Sequence, residues 1–287
     1  MPGWLTGKGW RVFAMPINWI WLVLLFFLVT ASFYFFYPKI ENFFIFYPHR
    51  SFTTVPADWG LSHEEVSFVA GDCTSLHGWF FPLHGDAPTI LFSHGNAGNI
   101  SDRLDNIKRL LDHGLQVFIY DYRGYGKSGG KPSEAGIYLD GLAAYDYLVR
   151  QKKIPPDRII PFGRSLGAAV AVEISTKRDV RSLIIESAFT STRDMAKCMF
   201  LFQLLSPFLP PNYDNLKKIA GITVPKLIIH GENDELVPFS MGKTLYDAAG
   251  APKYFSPIER AGHNDTYFVG GKRYFEVFAG FARNSRL

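Results

Sequence analysis

Cysteine is scarce: Cys73 and Cys198 are the only two in 287 residues. They are too few for a disulfide framework and have no metal-ligand spacing, so both are expected to be buried thiols and no metal is implied. Repeats and low-complexity tracts are absent, and 47% of the residues are apolar, which excludes a collagen-like or disordered chain. An excess of one charge is nearly absent too. The formal charge is +4, but Lys8, Arg11 and Lys39 stand in the first 39 residues without an acid, so the remainder nets +1. That excludes a basic footprint for nucleic acid. The length suits one large α/β domain.

Aromatic residues, by contrast, are plentiful and lopsided. Four of the six Trp lie within the first 21 residues and ten of the 26 Phe within the first 52. Residues 12 to 37 carry no charge, and about 20 apolar residues cross a bilayer core as a helix. A span over about 15 to 37 is predicted, with Trp19 and Trp21 near one headgroup level and Tyr34 and Tyr37 near the other. Pro16 suits its first turn, and Pro38 is expected to stop it. Residues 1 to 39 thus read as a single-pass anchor in the lipid bilayer. The competing reading is a signal peptide, with Lys8 and Arg11 as its basic start and Val29, Thr30 and Ala31 as a cleavage site. The apolar run continues through Phe33, Tyr34, Phe35 and Phe36, which favours a retained anchor. Lys39 and Arg50 balance Lys8 and Arg11, and the free amino terminus tips the expectation toward a globular domain outside the cytoplasm. Residues 40 to 62 form a juxtamembrane segment. Its aromatic cluster at 43 to 47 either rests at the interface or packs under the domain.

From residue 63 to 287, short β-branched or aromatic runs alternate with helical stretches, the pattern of a mostly parallel sheet of eight strands flanked by helices. Strands are predicted at 64 to 69, 75 to 82, 87 to 93, 116 to 121, 158 to 162, 181 to 186, 225 to 230 and 253 to 258. Helices are predicted at 98 to 113, 134 to 151, 166 to 177, 191 to 205, 239 to 249 and 271 to 284. The first two strands lack a helix between them and read as an antiparallel opening.

Gly163-Arg164-Ser165-Leu166-Gly167 matches G-x-S-x-G. It follows a buried run and opens the helix-forming stretch from Ala168 to Glu173, the strand, turn and helix that a nucleophile elbow needs. A simple Gly/Ser turn with Ser165 as helix cap is the plain alternative. A serine nucleophile needs an imidazole to take its proton and a carboxylate to orient the ring. His263 follows the last strand on a loop at the carboxyl edge of the sheet. His49, His63, His77, His84 and His113 read as solvated surface residues, and His94 and His230 as turn residues. Asp234 follows a buried strand and gives the order Ser, Asp, His. Glu232, Glu235 and Glu186 are the competing acids.

The loop Ser93-His94-Gly95-Asn96-Ala97-Gly98-Asn99 has small residues that let amides approach a ligand. The expected oxyanion hole uses the backbone N–H groups of Asn96 and Leu166. A phosphate cradle is disfavoured, because the loop lacks G-x-G-x-x-G and a Walker lysine. Asp121-Tyr122-Arg123-Gly124-Tyr125-Gly126 reads as a turn held by Asp121 and Arg123. Arg164 either favours an anionic substrate or pairs on the surface. The stretch of about 190 to 215 is apolar and proline-broken, and reads either as a short cap whose Met195, Met199 and Phe202 wall an acyl chain or as a buried crossover helix.

Taken together, these stretches, with Phe44-Ile45-Phe46-Tyr47-Pro48 and Leu76-His77-Gly78-Trp79, resemble the α/β-hydrolases, and more narrowly the membrane-anchored Bem46/YfhR-type serine hydrolases. The resemblance covers nearly the whole chain after residue 40. It implies the α/β-hydrolase fold, the serine hydrolase assignment and the roles of Ser165, Asp234, His263, Asn96 and Leu166; no cofactor is expected. Gly71-Asp72-Cys73 departs from the Asp-Gly turn usual there. The expected activity is hydrolysis of carboxylic esters or thioesters of acyl substrates. An amide or peptide hydrolase and a catalytically idle membrane-bound interaction module are the alternatives.

Overall fold

The computed structural model describes residues 17–199 and 202–285. Lys8, Arg11, Pro16 and the start of the expected span lie outside the described residues, as do Phe200 and Leu201 of the insert. Two compact units are present, one ending at Ile45 and the other beginning at Phe46.

The first unit is helix α1 (Ile17–Ile45). Pro38 does not stop it, contrary to expectation, and lies inside it. Proline removes only its own N–H from the helical ladder, so the helix resumes beyond it. Residues 43 to 45 of the aromatic cluster are therefore its last turn rather than a separate interfacial segment. Apolar side chains cover the helix all round: Trp21, Leu28 and Phe35 are 66%, 68% and 72% exposed. By length and composition α1 is able to cross a bilayer.

The second unit comprises β1 (Tyr47–Pro48), β2 (Glu64–Val69), β3 (Ser75–Phe81), β4 (Thr89–Ser93), β5 (Ala97–Gly98), α2 (Leu104–Asp112), β6 (Gln116–Asp121), α3 (Glu134–Arg150), β7 (Ile159–Arg164), α4 (Leu166–Lys177), β8 (Leu183–Glu186), α5 (Thr192–Cys198), α6 (Asn215–Ile219), β9 (Lys226–Gly231), α7 (Phe239–Ala248), β10 (Lys253–Ile258) and α8 (Thr266–Asn284). Eight strands form one sheet in the order β10-β9-β8-β7-β4-β6-β3-β2. The sheet is mixed rather than purely parallel, because β3 runs against both β2 and β6 while the other pairs are parallel.

Strands covered on both faces read as continuous apolar runs, since successive side chains point to opposite sides. Ile184, Leu227 and Ile229 join Phe92 and Phe162 on one face, packed with Ile107 and Leu110 of α2 and Phe278 and Phe281 of α8. Leu183, Ile185 and Ile228 take the other face, against Ala168, Ala171 and Val172 of α4 and Leu245 of α7. Burying each large aliphatic side chain contributes about 1.5–3 kcal/mol, so the sheet's two cores hold the strand ends rigid beneath the loops.

Several expectations are corrected. Cys73 and Cys198 are exposed, because one sits in the β2–β3 hairpin turn and the other ends α5. In that turn Cys73 takes the left-handed φ of 66° that the usual Asp-Gly turn would give to glycine. His77 is only 5% exposed, because its strand is covered on both sides, and it bonds Glu65 at 2.9 Å. The helix expected at 98 to 113 is α2 alone, preceded by β5 and a 3-10 turn, Ile100–Arg103. The expected helix at 191 to 205 is only α5, followed by turns and a 3-10 turn, Ser206–Phe208, where Pro207 lacks a donor.

Candidate active site

Strand β7 ends at Arg164 and α4 begins at Leu166, so Ser165 alone makes the turn, with φ 53° and ψ −117°. A non-glycine residue in this region is strained, and the packing on both sides must hold it there. A Cβ at Gly163 would strike the carbonyl of Gly167, and one at Gly167 the carbonyl of Ser93. The glycines of the motif therefore let the strand, the turn and the helix approach one another. The Ser165 amide donates to the Glu186 carbonyl at 2.9 Å, which ties the turn to β8.

Asp234 follows β9 and His263 follows β10, so both loops leave the same carboxyl edge of the sheet as Ser165. His263 Nε2 lies 3.0 Å from Ser165 Oγ, and its Nδ1 lies 2.8 and 3.0 Å from the two Asp234 oxygens. His263 and Asp234 are 6% and 8% exposed. Burial works to raise the Asp234 carboxyl, but hydrogen bonds from His230, His263 and the Val237 amide outweigh it and hold the group well below the usual carboxylate range. Asp234 is thus an anion wherever the protein is folded near neutral pH. It is suited to orient and stabilise an imidazolium.

The competing acids are otherwise engaged. Glu186 is fully buried, pairs with Arg164 at 3.2 Å, and accepts from Thr266 and from Tyr274 at 2.5 Å. Glu235 accepts from the His263 amide at 3.2 Å and so braces the histidine's backbone, while Glu232 is exposed. Arg164 is not a surface residue as one reading had it: its side chain is 11% exposed, pairs with Glu186, and donates to the His263 carbonyl at 2.7 Å. His230, read as a turn residue, donates from Nε2 to the Val237 carbonyl at 2.9 Å, and the same nitrogen is 3.3 Å from Asp234.

The loop after β4 is anchored at every carbonyl from 94 to 98. His94 accepts from the Tyr122 hydroxyl at 2.8 Å, Gly95 from the His94 ring at 2.7 Å, and Asn96 from the Tyr125 hydroxyl at 2.7 Å and the Tyr47 amide at 3.1 Å. Ala97 accepts from Arg103 at 2.6 Å and Gly98 from the His49 amide at 3.1 Å. In a trans peptide the N–H points opposite to the C=O. Holding the Gly95 carbonyl against the His94 ring therefore turns the Asn96 N–H the other way, and Asn96 lines the cavity beside Ser165. On the other side, the Ser165 carbonyl accepts from Ala168 at 3.0 Å, which orients the Leu166 N–H within the first turn of α4.

Sequence reasoning missed the strap that residues 47 to 53 lay over this loop. Beyond the parallel β1–β5 bridge, Asn99 donates to the carbonyls of His49 and Ser51, and Arg50 to that of Ser128. A two-residue strand has no readable period, and only the Phe-Tyr-Pro stretch gave a signal. The Asp121 turn has the structural character expected of it: Asp121 accepts from the Ile100 amide at 3.0 Å, and Arg123 is held by Asp140 and Asp72.

A cavity of about 470 Å³ opens beside Ser165, lined among others by His49, Asn96, Arg103, Arg164, Leu236 and His263. Met195, Met199 and Phe202 stand outside that lining. Met195 is half-buried on α5, Met199 just past it is exposed, and Phe202 is half-buried. Among the described residues no cluster of His, Cys, Asp or Glu could hold a metal ion.

Comparison with known proteins bears on the family and the fold. Residues 86–217 match the family described as serine aminopeptidase, S33. The chain is 33% identical to YfhR of Escherichia coli K12 over 264 residues, covering 88% of this chain and 91% of that protein. It is 34% identical to bem46 of Schizosaccharomyces pombe over 270 residues, covering 88% of each. Among solved structures it is similar to the Pyrococcus furiosus esterase Pf2001, with a TM-score of 0.69 and 23% identity over 83% of this chain and 98% of that one. With the eight-stranded sheet, the serine turn and the relatives in agreement, the chain belongs to the α/β-hydrolases, in the family that includes bem46 and YfhR.

Proposed function

We propose that this hydrolase is a membrane-tethered serine hydrolase that cleaves carboxylic esters or thioesters of acyl substrates. The observation that carries the reading is the chain of contacts from Ser165 through His263 to Asp234, set on a serine with positive φ. Ser165 Oγ attacks the carbonyl carbon as His263 Nε2 takes its proton, and Asp234 stabilises the resulting imidazolium. The Asn96 and Leu166 amides donate to the tetrahedral oxyanion, an effect typically worth about 3–4 kcal/mol for each donor. His263 returns the proton to the leaving group, and water resolves the acyl-enzyme by the same steps. Arg164 and Glu235 hold the His263 backbone from two sides, which keeps the ring in place through both half-reactions.

Helix α1 supports the tether, because apolar residues exposed all round suit a bilayer. With Lys8 and Arg11 matched by Lys39 and Arg50, the free amino terminus favours a hydrolase domain outside the cytoplasm. The insert supports an acyl substrate: Met199, Leu204 and Phe208 are exposed and offer apolar surface that an acyl chain would cover, with Met195 and Phe202 beside it. The name Pf2001 esterase favours the same chemistry, while the S33 aminopeptidase description favours amide cleavage as a second reading.

A fluorophosphonate probe tests the nucleophile on the full chain in detergent. Wild type is expected to label, Ser165→Ala not at all, and His263→Ala and Asp234→Ala weakly. Labelling that survives Ser165→Ala, or its absence from wild type, overturns the mechanism. A matched ester and anilide of one acyl group then separate the two readings, with faster ester turnover expected.

A further inference from the structure

The charge lining the cavity beside Ser165 is not fully spent on the protein itself. Arg103, Arg164 and Asp102 all line it. Arg164 is occupied by Glu186 and the His263 carbonyl. Asp102 is occupied as well, accepting from the Asn99 amide at 2.9 Å and the Thr53 hydroxyl at 3.0 Å. Arg103 differs from both. It makes one hydrogen bond, from Nη2 to the Ala97 carbonyl, and among the described residues no carboxylate pairs with it. A guanidinium has five N–H donors in a rigid fork, so most of its donors remain for a ligand. Burial pushes the Arg103 guanidinium down from its ordinary value, and the neighbouring charge of Arg164 adds to that. The Asp102 carboxylate works the other way, and the guanidinium keeps its charge in a cavity shared with the serine.

A planar fork of donors is the chemistry that recognises phosphate and carboxylate, because two parallel charge-assisted bonds match either anion. We propose that the substrate is an acyl ester or thioester carrying an anionic group, phosphate or carboxylate, close to the scissile carbonyl, and that Arg103 binds this anion. The inference rests on the serine-hydrolase reading above and narrows its substrate class. Arg103 then has two tasks. One edge of its fork holds the oxyanion loop at Ala97, and the other selects the anion.

The test uses the full chain in detergent micelles and two matched substrate pairs. One is a monoacylglycerol phosphate against the same monoacylglycerol, and the other a fluorogenic ester with a free carboxylate against its methyl ester. Wild type is expected to favour the anionic member of at least one pair by about tenfold in kcat/KM, and the pair that shows this identifies the anion. Arg103→Gln is expected to erase the preference, KM for the anionic member rising about tenfold beyond any loss of kcat that the loosened Ala97 loop imposes on both members alike, and Arg103→Lys to restore part of the preference. Equal loss on both members would mean that Arg103 only props the loop, and overturns the proposal, as does a wild type without anion preference. If neither pair turns over, protection of Ser165 from the fluorophosphonate by glycerol 3-phosphate or succinate decides, and protection absent or unchanged in Arg103→Gln overturns it. Fluorophosphonate labelling of wild type keeps the two failures apart: without labelling the hydrolase reading fails, and with labelling but no anion effect only this inference does.

Discussion

Acidification should loosen the protein through His94, a residue of the loop after β4 rather than of the Ser165–His263–Asp234 chain. His94 is fully buried, its ring centroid is 4.4 Å from that of Tyr122, and its Nδ1–H donates to the Gly95 carbonyl. Burial and the charge of Arg103 push its imidazole down to about 3, from an ordinary value of 6.5. Below pH 6.5 the unfolded chain therefore binds a proton that the native state refuses. A histidine depressed in this way contributes stability that is complete above about pH 6.5 and is lost as the pH falls toward 3. The slope approaches about 1.4 kcal/mol per pH unit, so moving from pH 7 to pH 5 costs about 2 kcal/mol through this one group. The assay is urea denaturation of the full chain in micelles at both pH values, for wild type and His94→Asn. Asparagine keeps a donor near Gly95 and does not titrate, and taking the difference of differences removes its own packing cost and every other titrating group. Wild type is expected to lose about 2 kcal/mol more than the variant between pH 7 and pH 5. Equal losses in the two proteins would refute the argument.

Two further outcomes are expected. Tyr125→Phe removes the 2.7 Å bond to the Asn96 carbonyl but leaves the Tyr47 amide on it, so kcat on a neutral ester should fall about tenfold with stability reduced by only about 1 kcal/mol. An unchanged kcat would show that the hydroxyl does not position the loop. A secretion-dependent reporter fused after Leu287 should be active outside the cytoplasm, and a signal confined to the cytoplasm would reverse the orientation.

The sheet was legible where local chemistry was sufficient. The runs at 64 to 69 and 253 to 258 coincide with β2 and β10: the first alternates exposed and buried residues, and the second is marked by its aromatic pair Tyr254-Phe255. Ser165, Asp234 and His263 were legible for a related reason: each follows a buried strand, and parallel strands deliver their following loops to one edge. Segments with no period of their own were not legible. β1 exists only through its pairing with Ala97 and Gly98, and α5 ends at Cys198, short of the predicted 205, with no local signal marking that end.

Charge and burial show the same division. Arg164 and Arg103 both line the cavity, and their roles diverge because β8 brings Glu186 to Arg164, while among the described residues no carboxylate pairs with Arg103. His77 and the two cysteines were misjudged because burial depends on which strands and helices cover a position. By itself the sequence determined the apolar helix, the order of strands and helices, and the serine, acid and histidine that follow buried strands, since periodicity, glycine placement and proline are local properties. Only the tertiary structure decided how the three side chains meet, how the strap and two tyrosines hold the loop after β4, and which arginine keeps unspent donors. Those depend on distances between residues up to about a hundred positions apart in the chain, which no local pattern encodes.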